Sequence, residues 1–286
     1  MIGPSGPQPP LLGPRELREM LDFHGVRLTK VLGQNFVIDP NTIRKVVEVA
    51  RVGAEDHVLE IGAGVGSLTR GLAAVAKTVT AVEVDERLIP ILETTLAKVP
   101  NCRIVHADAL QMPLAEAGAS AVVANLPYNV ATAIVFRVLE EAPEVRRLTV
   151  MAQREVGERL AAPPGDKVYG QSSVMATYYA YVEVAGRVSR RAFFPEPNVD
   201  SVIVGLTRRG SVDRAEAARL REVVRAAFQQ RRKTLRNSLG VLAGSPGAAE
   251  EALRSCGIEP DRRAEEIGVQ DFLRLANLFG YRLPTS

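Results

Sequence analysis

Leu59-Glu60-Ile61-Gly62-Ala63-Gly64-Val65-Gly66-Ser67-Leu68-Thr69 is the stretch that decides the fold. His57–Ile61 reads as an apolar strand, and Ser67 opens a helical pattern after a turn of alternate glycines. A strand that runs through such a turn into a helix is the opening unit of nucleoside-binding α/β folds. The missing side chains let a ligand approach the backbone. A dinucleotide fingerprint needs its third glycine at position 67, where Ser67 stands. The alternate spacing instead favours the nucleoside end of S-adenosylmethionine, although a glycine turn by itself also closes ordinary tight turns.

Outward from this stretch, strands and helices alternate. The apolar runs 57–61, 78–84, 102–106, 120–124 and 147–152 read as strands. Helices are expected over 67–76, 86–97, 130–141 and from 153 to about 160. Strands near 180–188 and 201–207 close the sheet in antiparallel sense. Near-continuous apolar strands with this rhythm predict a Rossmann-like, mostly parallel sheet covered on both faces. Two short helices precede it, one between Pro14 and Gly25 and one from Asp39-Pro40 to about Arg51. After Arg209-Gly210 only helices are expected, over 214–230, 233–242, 248–256 and 270–279, with breaks at 244–247 and 257–260. The expected organisation is a Pro- and Gly-rich tail over 1–14, an α/β domain over 15–209 and a small all-helical domain over 210–286.

Composition narrows the class. The chain has 286 residues, 46% hydrophobic and 24% charged, as in soluble globular proteins. No apolar run approaches a membrane span, and residues 1–14 lack the basic start and apolar core of a signal peptide, so a cytoplasmic protein is expected. Cys102 and Cys256 lie far apart, and His24, His57 and His106 form no cluster, so neither a disulfide framework nor a metal site is expected. Residues 208–286 carry 15 Lys and Arg against 10 Asp and Glu, whereas 1–207 carry 21 against 23. The basic end points weakly to a polyanionic partner.

In an open α/β sheet the ligand sits beyond the carboxyl ends of the strands. The second strand ends in Glu83, whose carboxylate suits two ribose hydroxyls. The third is followed by Asp108 and Ala109, with Asp108 placed to accept from an adenine amino group. The fourth runs into Asn125-Leu126-Pro127-Tyr128. An exocyclic amine is a poor nucleophile because its lone pair is delocalised into the ring. The Asn125 side chain and the Leu126 carbonyl offer two acceptors for its N–H bonds, which would localise the lone pair and aim it at a sulfonium methyl. Tyr128 would stack on the base. Together these segments read as methyl transfer to a base nitrogen.

Three further segments leave two readings each. Gln34-Asn35-Phe36 is a cap or surface turn, or it closes over the methionine end of the cofactor. Phe193-Phe194-Pro195-Glu196-Pro197, preceded by Arg187, Arg190 and Arg191, buries its rings in the core, or one ring sandwiches a flipped base against Tyr128. Gln230-Arg231-Arg232-Lys233-Thr234-Leu235-Arg236 is a solvated helix end or a phosphate contact.

These segments resemble the KsgA-type ribosomal RNA adenine dimethyltransferases. The matching stretches are LGQNFVID (32–39), LEIGAGVGSLT (59–69), AVEVD (81–85), DAL (108–110), NLPYNVAT (125–132), QREVGERL (153–160), VYGQSSV (168–174), FFPEPNVDS (193–201) and FQQRRKTLRNSL (228–239). They run in order over about residues 15–280. The resemblance implies dimethylation at N6 of two adjacent adenines near the 3′ end of 16S rRNA, late in small-subunit assembly and by a monomer. It implies a cofactor site from Gln34, Asn35, Val37, Gly62, Gly64, Glu83, Asp108, Ala109 and Asn125. Asn125, Leu126, Pro127 and Tyr128 would hold the adenine with Phe193 facing it, and Phe194 would pack inward. Arg231, Arg232, Lys233 and Arg236 would contact RNA. Ala63 and Val65 stand where the family usually has Pro and Leu, and Val37 where it has Leu. The antibiotic-resistance relatives that methylate 23S rRNA share most motifs, but the RRKTLRN run and the full helical domain favour the 16S enzyme. An assembly checkpoint factor acting by binding is the alternative of a different class, and intact Glu83, Asp108 and Asn125 argue against a purely structural role.

Overall fold

The computed structural model describes residues 13–26, 34–127, 129–230 and 232–280. The chain divides into two compact units, Met1–Gly157 with Glu183–Arg208, and Glu158–Val182 with Arg209–Ser286. The boundary differs from the sequence expectation, because 158–182 go with the helical unit.

In the first unit, α1 (Pro14–Phe23) starts with Pro14 and precedes the two-residue β1 (Phe36–Val37). The α2 helix (Pro40–Ala50) is capped by Asp39, whose carboxylate accepts from Asn41 N and Thr42 N, with Pro40 at the first position. The α/β alternation follows as β2 (His57–Ile61), α3 (Ser67–Ala73), β3 (Thr78–Glu83), α4 (Ile89–Leu96), β4 (Cys102–His106), β5 (Ala121–Asn125), α5 (Ala131–Glu141), β6 (Arg147–Gln153) and α6 (Arg154–Ala161). Further along the chain come α7 (Gln171–Tyr179), which belongs to the second unit, and then β7 (Ala180–Val188), β8 (Phe193–Phe194) and β9 (Ser201–Arg208). The main sheet has the order β4-β3-β2-β5-β6-β9-β7. Neighbours from β4 to β6 are parallel, and β9 pairs antiparallel with β6. The strand order reverses at β2 and β5, which makes their carboxyl ends the switch point where α/β proteins bind ligands.

Strands buried on both faces need helices on both sides. On one side Ile43 and Val46 of α2 and Leu68 and Leu72 of α3 pack with Val58, Val79, Val123 and Ile203 of the sheet. Elsewhere Leu17 and Leu21 of α1 pack with Phe36, Val65, Leu88 and Ile91. A second, two-stranded sheet pairs β1 with β8 antiparallel, Phe36 opposite Phe194 and Val37 opposite Phe193. Two residues per strand give no alternation to read, so this sheet is invisible in the sequence.

The second unit is helical: α7, α8 (Arg214–Phe228), α9 (Leu235–Ala243), α10 (Pro246–Ser255) and α11 (Val269–Gly280). Tyr169 explains why 158–182 belong here. Its ring meets Phe228, which in turn meets Phe272, at centroid distances of 6.0 and 5.9 Å. Its hydroxyl donates to Ile267 O at 3.0 Å, and Tyr178 Oη donates to Glu216 Oε1 at 2.8 Å. The α10 helix starts two residues before its expected position. Gly244 ends α9 at φ 86°, and Ser245 caps α10 through Ala248 N ahead of Pro246, so Gly-Ser-Pro-Gly is a stop followed at once by a start. Among the described residues no helix is long and apolar enough to cross a membrane.

Candidate functional site

A cavity of about 240 Å³ lies at the carboxyl ends of β2, β3 and β5. Gly62 and Gly64 form its floor, at φ 79° and 58°. Both conformations are left-handed, and space is short as well. A Cβ on Gly62 would stand 3.3 Å from the Asn125 carbonyl oxygen, and one on Gly64 2.8 Å from the Phe36 ring. Only glycine lets the turn pass this close to its neighbours while leaving the backbone open to a ligand.

Glu83 lines the cavity at 5% exposure. Its Oε2 accepts from Gly64 N at 2.7 Å, and Oε1 accepts from Val84 N at 3.0 Å and Asp85 N at 2.9 Å. Burial nonetheless raises its pKa above the usual carboxylate range, with the Asp85 charge adding to the rise and the three N–H donors opposing it. Asp85 is also buried. Its carboxylate receives the Arg87 guanidinium at 2.7–2.8 Å and Gln34 Nε2 at 2.7 Å, and the Arg87 bond holds its pKa low. Gln34 is thereby fixed against the cavity, and its Oε1 is buried with no hydrogen-bond partner among the described residues. Asp108 also lines the cavity, beside Ala109. Its two oxygens accept from Leu110 N at 2.8 Å and Gln111 Nε2 at 2.9 Å.

Asn125 ends β5 and reaches both this cavity and a smaller one behind the glycine turn. Its Nδ2 donates to Asn35 O at 2.8 Å. That bond fixes the amide, leaving Oδ1 as the acceptor. Leu126 and Pro127 continue the wall, and Leu126 N is tied to Met151 O at 3.1 Å. Tyr128 lies outside the described residues. Phe193 lines the cavity at 3% exposure while packing with Val37, Val188 and Ile203, so the ring is part of the core and of the cavity wall at once. Phe194 is half-buried against the α1 cluster, with the Arg18 guanidinium 4.8 Å from its ring centre. Val37 does not reach the larger cavity. Its side chain is in the core and touches only the smaller one.

The sequence reading assigns no role to Glu60, which is 1% exposed as the penultimate residue of β2. Both carboxylate oxygens, Ser67 Oγ and Thr69 Oγ1 are buried without hydrogen-bond partners among the described residues. Burial pushes the Glu60 pKa up to about 8, and the neighbouring Glu83 charge adds to this. The Thr69 hydroxyl works the other way but lacks hydrogen-bonding geometry, so the burial stays uncompensated. The available signal was an acidic residue inside an otherwise apolar strand. Burial also pushes the Cys102 thiol up to about 12, which leaves it unreactive. Among the described residues no group of His, Cys, Asp and Glu is placed to hold a metal ion.

In the helical unit, Arg232 and Lys233 are exposed ahead of α9. The helix begins at Leu235 rather than 233, with Thr234 as its N-cap. Arg236 is engaged differently, its Nη1 lying 3.5 Å from Glu250 Oε2, a carboxylate it shares with Arg254. Arg231 lies outside the described residues.

Residues 25–280 match the family described as "Ribosomal RNA adenine dimethylase". The chain belongs to this family. A protein of Leifsonia xyli subsp. xyli named "Ribosomal RNA small subunit methyltransferase A" is 47% identical, over 93% of this chain and 98% of its own. A protein of the same name from Streptomyces coelicolor is also 47% identical, over 95% and 98%. Among solved structures, the 23S rRNA methyltransferase ErmE is 30% identical, with TM-score 0.70 over 86% of this chain and all of its own. A dimethyladenosine transferase from Plasmodium falciparum, at 24% identity, shares the fold with TM-score 0.76 over 86% of this chain and 98% of its own. Family membership thus agrees with the Rossmann-like sheet and with the position of the cavity at its switch point.

Proposed function

We propose that this chain uses S-adenosylmethionine to dimethylate N6 of two adjacent adenines near the 3′ end of 16S rRNA in the assembling small subunit. It works as a monomer in the cytoplasm. The observation that carries this reading is Asn125, held by Asn35 O with its Oδ1 left to accept at the mouth of a glycine-floored cavity. The near-full-length similarity to small-subunit methyltransferases supports the small subunit as substrate.

The residues present fit the methyl donor. A Cβ at Gly62 or Gly64 would press on the Asn125 carbonyl oxygen or the Phe36 ring, both of which line the cavity, the buried Glu83 carboxylate suits a ribose diol, and Gln34 Oε1 is a buried acceptor without a partner among the described residues. S-adenosylmethionine supplies an electrophilic methyl on a sulfonium. Gln34 and Asn35 close over its methionine end, Glu83 takes the ribose, and Asp108 with Ala109 takes the adenine ring. Asn125 Oδ1 and the Leu126 carbonyl accept the two N–H bonds of the target amine, which turns its lone pair out of ring conjugation. Phe193 walls the base, and Tyr128 is assigned the stacking face. No general base is needed, because the alkylated ammonium loses its proton readily to water. Labelled cofactor incubated with unmodified small and large subunits, followed by mapping of the modified base, tests the reading. Label confined to large subunits would favour the 23S alternative.

Glu83→Ala is expected to weaken cofactor binding by about 1.5–3 kcal/mol, the worth of charge-assisted bonds. Calorimetry on the folded variant checks this, and unchanged affinity would remove Glu83 from the site.

The helical unit supplies phosphate contacts through Arg231, Arg232 and Lys233, while Arg236 contributes less because Glu250 already engages it. Replacing Arg232 and Lys233 together by Gln is expected to weaken subunit binding. The slope of log affinity against log salt flattens by about 0.7–0.9 per lost contact, with cofactor binding intact. An unaltered slope with a lowered melting temperature would make the pair structural.

A further inference from the structure

A further, polar cavity of about 480 Å³ is lined by Gln153, Arg154, Glu155, Arg190, Asn198 and Asp200 together with Val199. The segment from Arg190 to Asp200 is a wall common to both cavities, because Phe193 faces the first and Arg190, Asn198 and Asp200 face the second. The backbone registers the two sites against each other. Asn125 on β5 pairs with Met151 on β6, and Gln153 stands two residues further along β6. With strands about 4.8 Å apart and about 3.3 Å per residue, the Asn125 and Gln153 Cα atoms are roughly 8 Å apart.

The wall is anchored. Asp200 Oδ1 accepts from Arg190 N at 3.0 Å, Asp200 O accepts from Arg154 N at 3.1 Å, and Arg190 Nε meets Glu196 Oε1 at 2.8 Å. Two arginines and two carboxylates leave the lining without net charge, so this is no simple phosphate site. Its neutral groups are the amides of Gln153 and Asn198. Each offers a carbonyl acceptor beside an N–H donor, the pair that matches the amino group and ring nitrogen of adenine. Single-stranded RNA presents such base edges when its bases are splayed apart.

We propose that this cavity holds the second adenine of the substrate, read by Gln153 and Asn198, while the first occupies the methyl-transfer cavity. The inference rests on the reading of the substrate as two adjacent adenines. It explains how one enzyme handles neighbouring bases: each waits in the polar cavity while the other reacts.

The test is single-turnover methylation of small subunits carrying either both adenines or a guanine in place of one, with the remaining adenine mapped. The wild type is expected to methylate the guanine-bearing subunit more slowly by on the order of ten-fold, the worth of one bidentate amide–adenine pair. Gln153→Ala with Asn198→Ala is expected to be slow on both subunits and to discriminate little between them, at unchanged cofactor affinity and melting temperature. Asn198→Asp keeps the volume, removes one donor and is expected to lose part of the discrimination, which serves if the double variant is unstable. A wild type indifferent to the neighbouring base, or full discrimination kept by the variants, would overturn the proposal alone. No transfer by the wild type to subunits with both adenines would overturn the underlying reading, and this one with it.

Discussion

Asn125→Ala is expected to lower the single-turnover methylation rate by about two to three orders of magnitude with RNA affinity near that of wild type. The magnitude is that of losing one preorganised acceptor that acts on the transition state. The geometry adds a second expectation. Asn125 Nδ2 donates to Asn35 O, so the same side chain ties the 34–36 segment to the end of β5. Alanine removes that tie without opposing the segment, and some loss of cofactor affinity accompanies the loss of rate. Asn125→Asp sets a carboxylate oxygen against the Asn35 carbonyl oxygen. It is therefore expected to lower cofactor affinity further than alanine does, while retaining an acceptor toward the amine. Calorimetry for the cofactor and single-turnover mapping for the base separate the two effects. A near-normal rate in the alanine variant would show that the amine is oriented by other groups.

The parts of this molecule that were legible in the sequence are those governed by local rules. The apolar runs locate β2 to β6 within a residue or two; β2, β3, β5 and β6 are largely buried and have no polar alternation to obscure them, while the edge strand β4 is only partly covered. Asp39-Pro40 marked the start of α2, since a cap and a first-turn proline act on their own neighbours. Glu83, Asp108 and Asn125 could be placed at strand ends, and the topology then brings them to one cavity. What remained hidden depends on distant partners. The β1–β8 pair has two residues per strand, and only tertiary contact defines it. The α7 helix carries Ser, Thr and Tyr among apolar residues, a mixture with no amphipathic stripe, so the sequence gives no helical signal there. Tyr169 carries its segment into the helical unit through rings 59 and 103 residues further on, a pairing no window of sequence contains. The polar cavity is hidden for the same reason, because Gln153 and Asn198 are ordinary polar residues until the fold brings the end of β6 and the loop before β9 to one cavity.

Glu60→Gln is expected to remove a pH-dependent loss of stability that the wild type carries. The Glu60 carboxyl is raised from an ordinary 4.5 to about 8, first by burial and then by the Glu83 charge. Between these values the folded protein keeps a proton that the unfolded chain has released. The unfolded state then binds fewer protons, so stability falls as pH rises through this window and levels off above about 8. At about 1.4 kcal/mol per pH unit the fall amounts to roughly 4–5 kcal/mol as an upper bound, and it belongs to the Glu60–Glu83 pair rather than to one group. Glutamine has nearly the same shape and no proton to lose. The two proteins should therefore have similar stability near pH 5, and the variant should be the more stable at pH 8. Urea unfolding of both from pH 5 to 8 gives the difference directly, and other titrating groups cancel in the comparison. Cofactor affinity near pH 6 should change little, since Glu60 is neutral there in the wild type as well. Parallel pH profiles would mean that Glu60 is already ionised in the folded protein, with its charge compensated behind the glycine turn.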